Sequence, residues 1–475
     1  MSRSSGTYRQ KWWNLSLLLT LLAQGAVAQT NSASAKALTF EDVLHYALEH
    51  YPAVRASLEQ AKAAHAGVAL ARTQYLPQLS GAYQDSRATQ NQVPGIWLPT
   101  PVTPTVEGPI GESSGQSYWA SQVAALFSFE PVDFGLRAAR VNGARSAEDK
   151  AQAELSVVRL QVAAAAGSYF LLALANQQAV VAAQANVDRW QVVDKTVRVL
   201  ADNQLRPGAD ASRADAELAR AKTQLYQTQQ AERAARATLA ALMGAAGSDI
   251  QLDGSTLLQR QERALPDLSA AEHPVVRAGT AAIRQAQAGE KILQRTDYPR
   301  LFLQAEGLGR GSEVPNNGTI IGNANGLLPA RGNWIAGVTV LFPDVFGFKG
   351  LSVEKQIARA DERAQEARRE QAIQDLTGQI QAAREQWKTA QLVVQETPVE
   401  LAAARLSETQ SRARYEAGLA TLVEVAEAEN LLGQAEMDDA LARLNVWKGL
   451  FSIAYAQGNL EDFLQILRDT NTRDH

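Results

Sequence analysis

Apolar and polar positions follow two rhythms along this chain, one helical and one of period two. Over 40–74, Val43, Leu44, Ala47 and Leu48 recur at steps of three and four, which predicts a helix with Thr39 and Asp42 at a capped start and Pro77 beyond its end. The rhythm then shortens to two near 79–88 and 118–129, and again near 301–310 and 334–342. Trp334, Ala336, Val338, Val340 and Phe342 alternate with Ile335, Gly337 and Thr339, while Trp119, Val123, Phe127 and Phe129 alternate with Gln122 and Ser128. These are strands with one apolar and one mixed face, joined in pairs by loops rich in Pro, Gly and Asn. A soluble sandwich and a membrane barrel both fit the strands taken alone.

A long helical rhythm follows each strand pair. Nothing between Pro131 and Pro207 stops it, and Leu155, Val158, Val162, Ala165, Tyr169 and Leu172 recur at steps of three and four. After Pro343 the same holds for Ile373, Leu376, Ile380, Ala383, Trp387, Ala390 and Val394, as far as Gly418. Each such helix would be about 100 Å long, with the periodicity of a left-handed supercoil. Pro398 falls inside the second and predicts a kink or a break there. The helix before the hairpin and the one over 210–243 together match one long helix, so stacked end to end they would pack along it.

The two halves are copies. Pro52 and Pro274, Gly67 and Gly289, and Pro77 and Pro299 are each 222 positions apart, and Pro131 and Pro343 are 212 apart, so the second hairpin is 10 residues shorter. The expected organisation is a leader over 1–28, a first repeat over 29–265, a second over 266–460 and a tail over 461–475. The leader reading rests on Arg3, Arg9 and Lys11 before an apolar run at 15–22 and Ala26-Val27-Ala28, with cleavage after Ala28.

A net charge of -4 over 475 residues marks no nucleic-acid partner, and the absence of cysteine removes disulfides, thiolate metal sites and an N-terminal lipid on cysteine. No apolar stretch past the leader reads as a membrane helix, the best being 162–175. A closed β-barrel would satisfy every backbone group in a bilayer equally well, but four strands cannot close one, so several chains must contribute. The alanine-rich helices supply little buried volume each and point the same way, to an oligomer.

The repeat, the helix stops at Pro77 and Pro299, and the segment Tyr415-Glu416-Ala417-Gly418-Leu419-Ala420-Thr421-Leu422-Val423-Glu424-Val425-Ala426-Glu427-Ala428 resemble the TolC family of outer-membrane efflux proteins. The first copy carries a degenerate version with Gly208, Asp210 and Ala214. The resemblance implies a mainly α fold with β: a homotrimer whose twelve strands form one transmembrane β-barrel, continued by an α-helical periplasmic barrel. It implies a passive conduit in the outer membrane, embedded in its lipid, opened by a periplasmic membrane-fusion adaptor and energised by an inner-membrane pump. It also implies that Glu424 and Glu427, three apart on one helix face, line a constriction of six carboxylates; without it they make an ordinary solvated acidic face. Tyr415 and Asp210 would form a polar latch between the turns at Gly208 and Gly418. An arginine that completes the latch in some relatives is Ala420 here.

No enzyme chemistry competes. The five histidines lack a second ligand at helical spacing, so neither metal nor cofactor is expected. Gly307, Gly309 and Gly311 lack the last glycine of a dinucleotide fingerprint, and Phe348-Lys349-Gly350 lacks the rest of a phosphate loop. The rival from another class is a periplasmic coiled-coil scaffold or adaptor with small soluble β domains.

Overall fold

The computed structural model describes residues 37–89, 117–205, 207–313, 324–343 and 347–472. The leader expected at 1–28 lies outside them. Thr39 caps the first helix as expected: its hydroxyl accepts from the Asp42 N–H while the Asp42 carboxylate accepts from the Thr39 N–H. The expected single helix is two, α1 (Phe40–His50) and α2 (Pro52–Thr73), because Pro52 has no N–H to continue the ladder and instead starts a new helix at its first position. Strands β1 (Gln78–Thr89) and β2 (Ser117–Val132) follow, then α3 (Leu136–Asp202) and α4 (Gly208–Leu242).

The second copy repeats the order with α5 (Pro274–Thr296), β3 (Arg300–Ser312), β4 (Arg331–Leu341), α6 (Phe348–Glu416) and α7 (Leu422–Gln457). Pro274 opens α5 as Pro52 opens α2, and α1 has only a short 3-10 turn, Ala270–Glu272, in its place. The tail expected over 461–475 is instead a helix, α8 (Glu461–Asn471), whose Phe463, Ile466 and Leu467 are buried. α2 and α4 both pack along α3, and α5 and α7 along α6, so the end-to-end arrangement holds in both copies. At 67 and 69 residues, α3 and α6 are each about 100 Å long. α6 runs unbroken through Pro398, contrary to the expected interruption, and Thr397 beside it is buried with its hydroxyl 3.2 Å from Asp439 on α7.

The strands form one antiparallel sheet in the order β1-β2-β3-β4, so β2 and β3 join the copies. Directly opposed residues share a face, and the register sets Leu79 against Phe127, Tyr83 against Val123, Phe127 against Ala305, Leu303 against Val338 and Gly307 against Trp334. Across these rows that face is apolar and exposed, Trp334 being 80% exposed, whereas further along it Asp85, Arg87 and Ser121 are polar and Leu328 and Pro329 lie over Gly309 and Gly311. The opposite face carries a polar row, Gln84, Gln122, Arg310 and Arg331, in consecutive register. β1 and β4 are left as open edges among the described residues.

The main core lies where α1, α3, α7 and α8 meet. Phe40 sits edge-on to Phe170 and Phe451 at 5.4 and 5.5 Å, and Phe463 closes the group at 5.3 Å from both Phe40 and Phe451. Gly167 is required there, because a Cβ at that position would overlap the Phe451 ring. An 18-residue window within α3 reaches a mean hydropathy of 1.6, long and apolar enough to cross a bilayer, which corrects the expectation that no such stretch exists. It is 56% buried inside the protein, and Phe170, Leu171 and Leu174 point into this core.

Candidate functional site at the helix turns

The far ends of α3 and α6 turn back in the same way. Gln204 and Gly418 take left-handed backbones, with φ of 60° and 79°, and the next residue's N–H reaches back to close the helix, Leu205 to the Leu200 carbonyl and Leu419 to that of Arg414. Gln204 and Gly418 are 214 positions apart, as are Asp210 and Glu424, the third residues of α4 and α7. The counterpart of Gly418 is therefore Gln204. Gly208, expected to be the turn glycine of the first copy, is the first residue of α4.

Tyr415 and Asp210 are brought together: the Tyr415 hydroxyl donates to Asp210 Oδ2 at 3.3 Å, with Tyr415 buried in a cluster with Leu422, Val425 and Ala214. Ala420 is buried in the same cluster. Glu424 closes a capping box, accepting from the Thr421 N–H at 3.1 Å while the Thr421 hydroxyl accepts from the Glu424 N–H at 3.4 Å. Arg414 approaches its other oxygen at 3.4 Å. Glu427, one turn on, is exposed, and by the offset of 214 its counterpart in the first copy is Arg213.

The strongest electrostatic feature here was not anticipated. Glu429 is fully buried, held by Arg189 of α3 at 2.9 Å and by Arg412 of α6 at 2.5 Å. Glu408 lies 2.6 Å from the same Arg412, and Glu436 lies 3.0 Å from Arg189. Burial pushes the Glu429 carboxyl above the ordinary carboxylate range, opposed by the hydrogen bond and charge of Arg412 and by Arg189. A sequence signal existed: Glu408, Arg412 and Glu429 repeat Asp194, Arg198 and Asp215 at the same offset of 214, with an arginine and an acid 17 positions apart in both. Among the described residues no group of three or more His, Asp or Glu side chains could hold a metal ion.

A family model described as outer membrane efflux protein matches residues 265–458. Protein CyaE of Bordetella pertussis is 27% identical over 277 residues, which cover 56% of this chain and 53% of CyaE, so the chain spans about half the length of the curated relative it matches. Among solved structures, CusC, studied in folding and transmembrane channel formation, superposes with a TM-score of 0.72 at 15% identity over 90% of this chain and 93% of its own. The open state of the Neisseria gonorrhoeae MtrE outer membrane channel superposes with a TM-score of 0.69 at 19% identity over 88% and 89%. The second half of the chain thus matches the outer membrane efflux protein model, and the fold along nearly its whole length is similar to that of CusC and MtrE.

Proposed function

We propose that this protein is the outer-membrane channel of a tripartite efflux or secretion system. Three copies join their sheets edge to edge, β4 of one to β1 of the next, into a twelve-stranded barrel, and their helices continue it as a tunnel into the periplasm. The observation that carries the reading is the sheet itself: an apolar band crossing all four strands on one face, a polar row opposite, and two open edges among the described residues. Lipid outside and water inside account for both faces, and closure accounts for the edges. The chain supplies no energy of its own. A periplasmic adaptor opens the conduit and an inner-membrane pump drives it.

The helix turns form the closing end. There the Tyr415–Asp210 bond is the latch, Gly418 permits the turn that places it, and Glu424 and Glu427 face the constriction and favour cations. Arg213, at the position in α4 that Glu427 occupies in α7, tempers that preference.

Planar-bilayer recording of the purified protein tests this. Discrete conductance steps that favour cations are expected, weakened by Glu424→Gln with Glu427→Gln, since glutamine keeps the capping box. Absence of conductance, together with extraction from membranes without detergent, would leave the scaffold reading standing instead.

A further inference from the structure

Two like charges stand directly opposite each other on the polar face of the sheet. Arg310 of β3 and Arg331 of β4 are register partners, so their Cα atoms are about 5 Å apart and both side chains leave the same face, an arrangement that is destabilising by itself. Gln84 and Gln122 continue the row, and the rows on either side of it contain only Ala, Leu, Asn and Ser among the described strands. On this face of β3 the first acid is Glu306, four residues along and about 13 Å away. A third arginine of the same face is treated differently: Arg300 gives both arms of its fork to Glu130, at 2.6 and 2.7 Å. Arg310 is half-buried and Arg331 exposed. The strands thus supply Arg300 with a carboxylate and place a second guanidinium, not an acid, against Arg310.

We propose, on the trimeric channel reading above, that Arg310 and Arg331 together form a binding site for oxyanions, the phosphate, sulfonate or carboxylate groups of organic cargo in transit. Guanidiniums on neighbouring strands can hold one oxyanion between their forks, and an anion there turns the repulsion of the pair into attraction. Gln84 and Gln122 beside them are neutral and add amide donors. Three copies bring three such sites around the lumen. The Ala330 N–H, just before β4, donates to the Arg310 carbonyl at 2.8 Å, so the sites lie at the end of the barrel away from the helices. All of α6, about 100 Å, separates them from the helix turns, against a screening length of about 8 Å in physiological salt. Glu424 and Glu427 therefore do not neutralise them. Those carboxylates act on small ions at the closed end, and the arginines act on cargo that has passed the open one.

Fluorescence anisotropy of the trisulfonate dye pyranine, with purified trimer in a non-ionic detergent, tests the site. Saturable binding is expected, displaced by inorganic pyrophosphate and weakened as salt rises from about 50 to about 500 mM. Arg310→Gln with Arg331→Gln is expected to raise the dissociation constant about tenfold or more, while the single-channel step in planar bilayers stays within about twofold of the unmodified one. Arg368→Gln with Arg369→Gln removes the same charge from exposed positions on α6 and is expected to leave binding unchanged. Should the first double variant not assemble, Arg331→Gln alone, at the exposed member of the pair, is expected to raise the constant about threefold or more. Equal loss from the two double variants, dye retained in saturating pyrophosphate, or a conducting trimer that binds no dye would each overturn the site. An unmodified protein that neither trimerises nor conducts overturns instead the channel reading on which the site rests.

Discussion

Tyr415 and Asp210 are 205 positions apart in sequence and meet through one bond of 3.3 Å, which sets how much that bond can do. A net contribution of about 1 kcal/mol is usual for such a bond, somewhat more with a charged acceptor. Since 1.4 kcal/mol is a factor of ten, Tyr415→Phe is expected to raise the resting open fraction several-fold in single-channel recordings, without unlocking the gate outright. An unchanged resting state would deny the bond any part in closure. His273 makes a separate residue-scale case. Its Nδ1 accepts from the Val275 N–H at 3.1 Å at the start of α5, and its Nε2 lies 3.3 Å from the Tyr455 carbonyl, so the fold uses the neutral ring. Burial lowers its pKa, reinforced by Arg277 and opposed by the Tyr455 bond. A depressed pKa means that this stabilisation is complete above the unfolded value, about 6.5, and is lost as pH falls through the folded one. Melting temperature is therefore expected to decline below about pH 6.5, and His273→Asn, which can still cap the helix, should flatten that part of the decline.

At the scale of elements, what the sequence reveals depends on whether a feature is local. The four strands, both long helices and the end-to-end stacking follow from periodicity and from Pro77, Pro131, Pro207, Pro299 and Pro343, and the structure has them all. Helix α8 was hidden because Phe463, Ile466 and Leu467 acquire a reason to order only in the core they share with α7 and with α1, which is more than 400 positions away in sequence. The left-handed role of Gln204 was hidden because Gly208 is the residue that usually takes it, and helix geometry rather than residue preference decided the position. Arg189 was invisible for a further reason: it acts between the copies, and self-comparison reveals only what the copies share. Pro398 shows tertiary structure overriding propensity. The helix continues because α7 holds this stretch, with Thr397 tied to Asp439 and Val394 packed on Val446. The missing backbone bond still costs stability. Pro398→Ala is expected to stabilise the protein by up to about 3 kcal/mol, read as a higher melting temperature by circular dichroism at 222 nm. A lower one would show that the distortion at Pro398 is itself needed for packing.

For the molecule as a whole, the helices and the sheet make different demands on the surroundings. The helical layer leaves Leu392, Val399 and Leu406 of α6 more than half exposed, and the sheet leaves Leu79, Tyr83, Trp334 and Val338 likewise. A single copy in water satisfies neither, whereas the proposed closure of three copies would cover helix flanks and strand edges at once and leave only the outer sheet face for lipid. That division can be tested at two adjacent residues, since neighbours on a strand point to opposite sides. Val338 lies on the apolar face opposite Leu303, and Thr339 lies on the other, its hydroxyl 3.3 Å from Gln304. Val338→Arg puts a charge into hydrocarbon at a cost of about 2–4 kcal/mol near the bilayer midplane, paid three times in a trimer, and should sharply lower the yield of assembled barrel recovered from membranes. Thr339→Arg puts the same charge into the water-filled lumen, so assembly should survive while conductance falls and cation preference weakens. Equal damage from both substitutions would mean that the sheet has no lipid side, and the barrel would have to be abandoned together with the trimer that closes it.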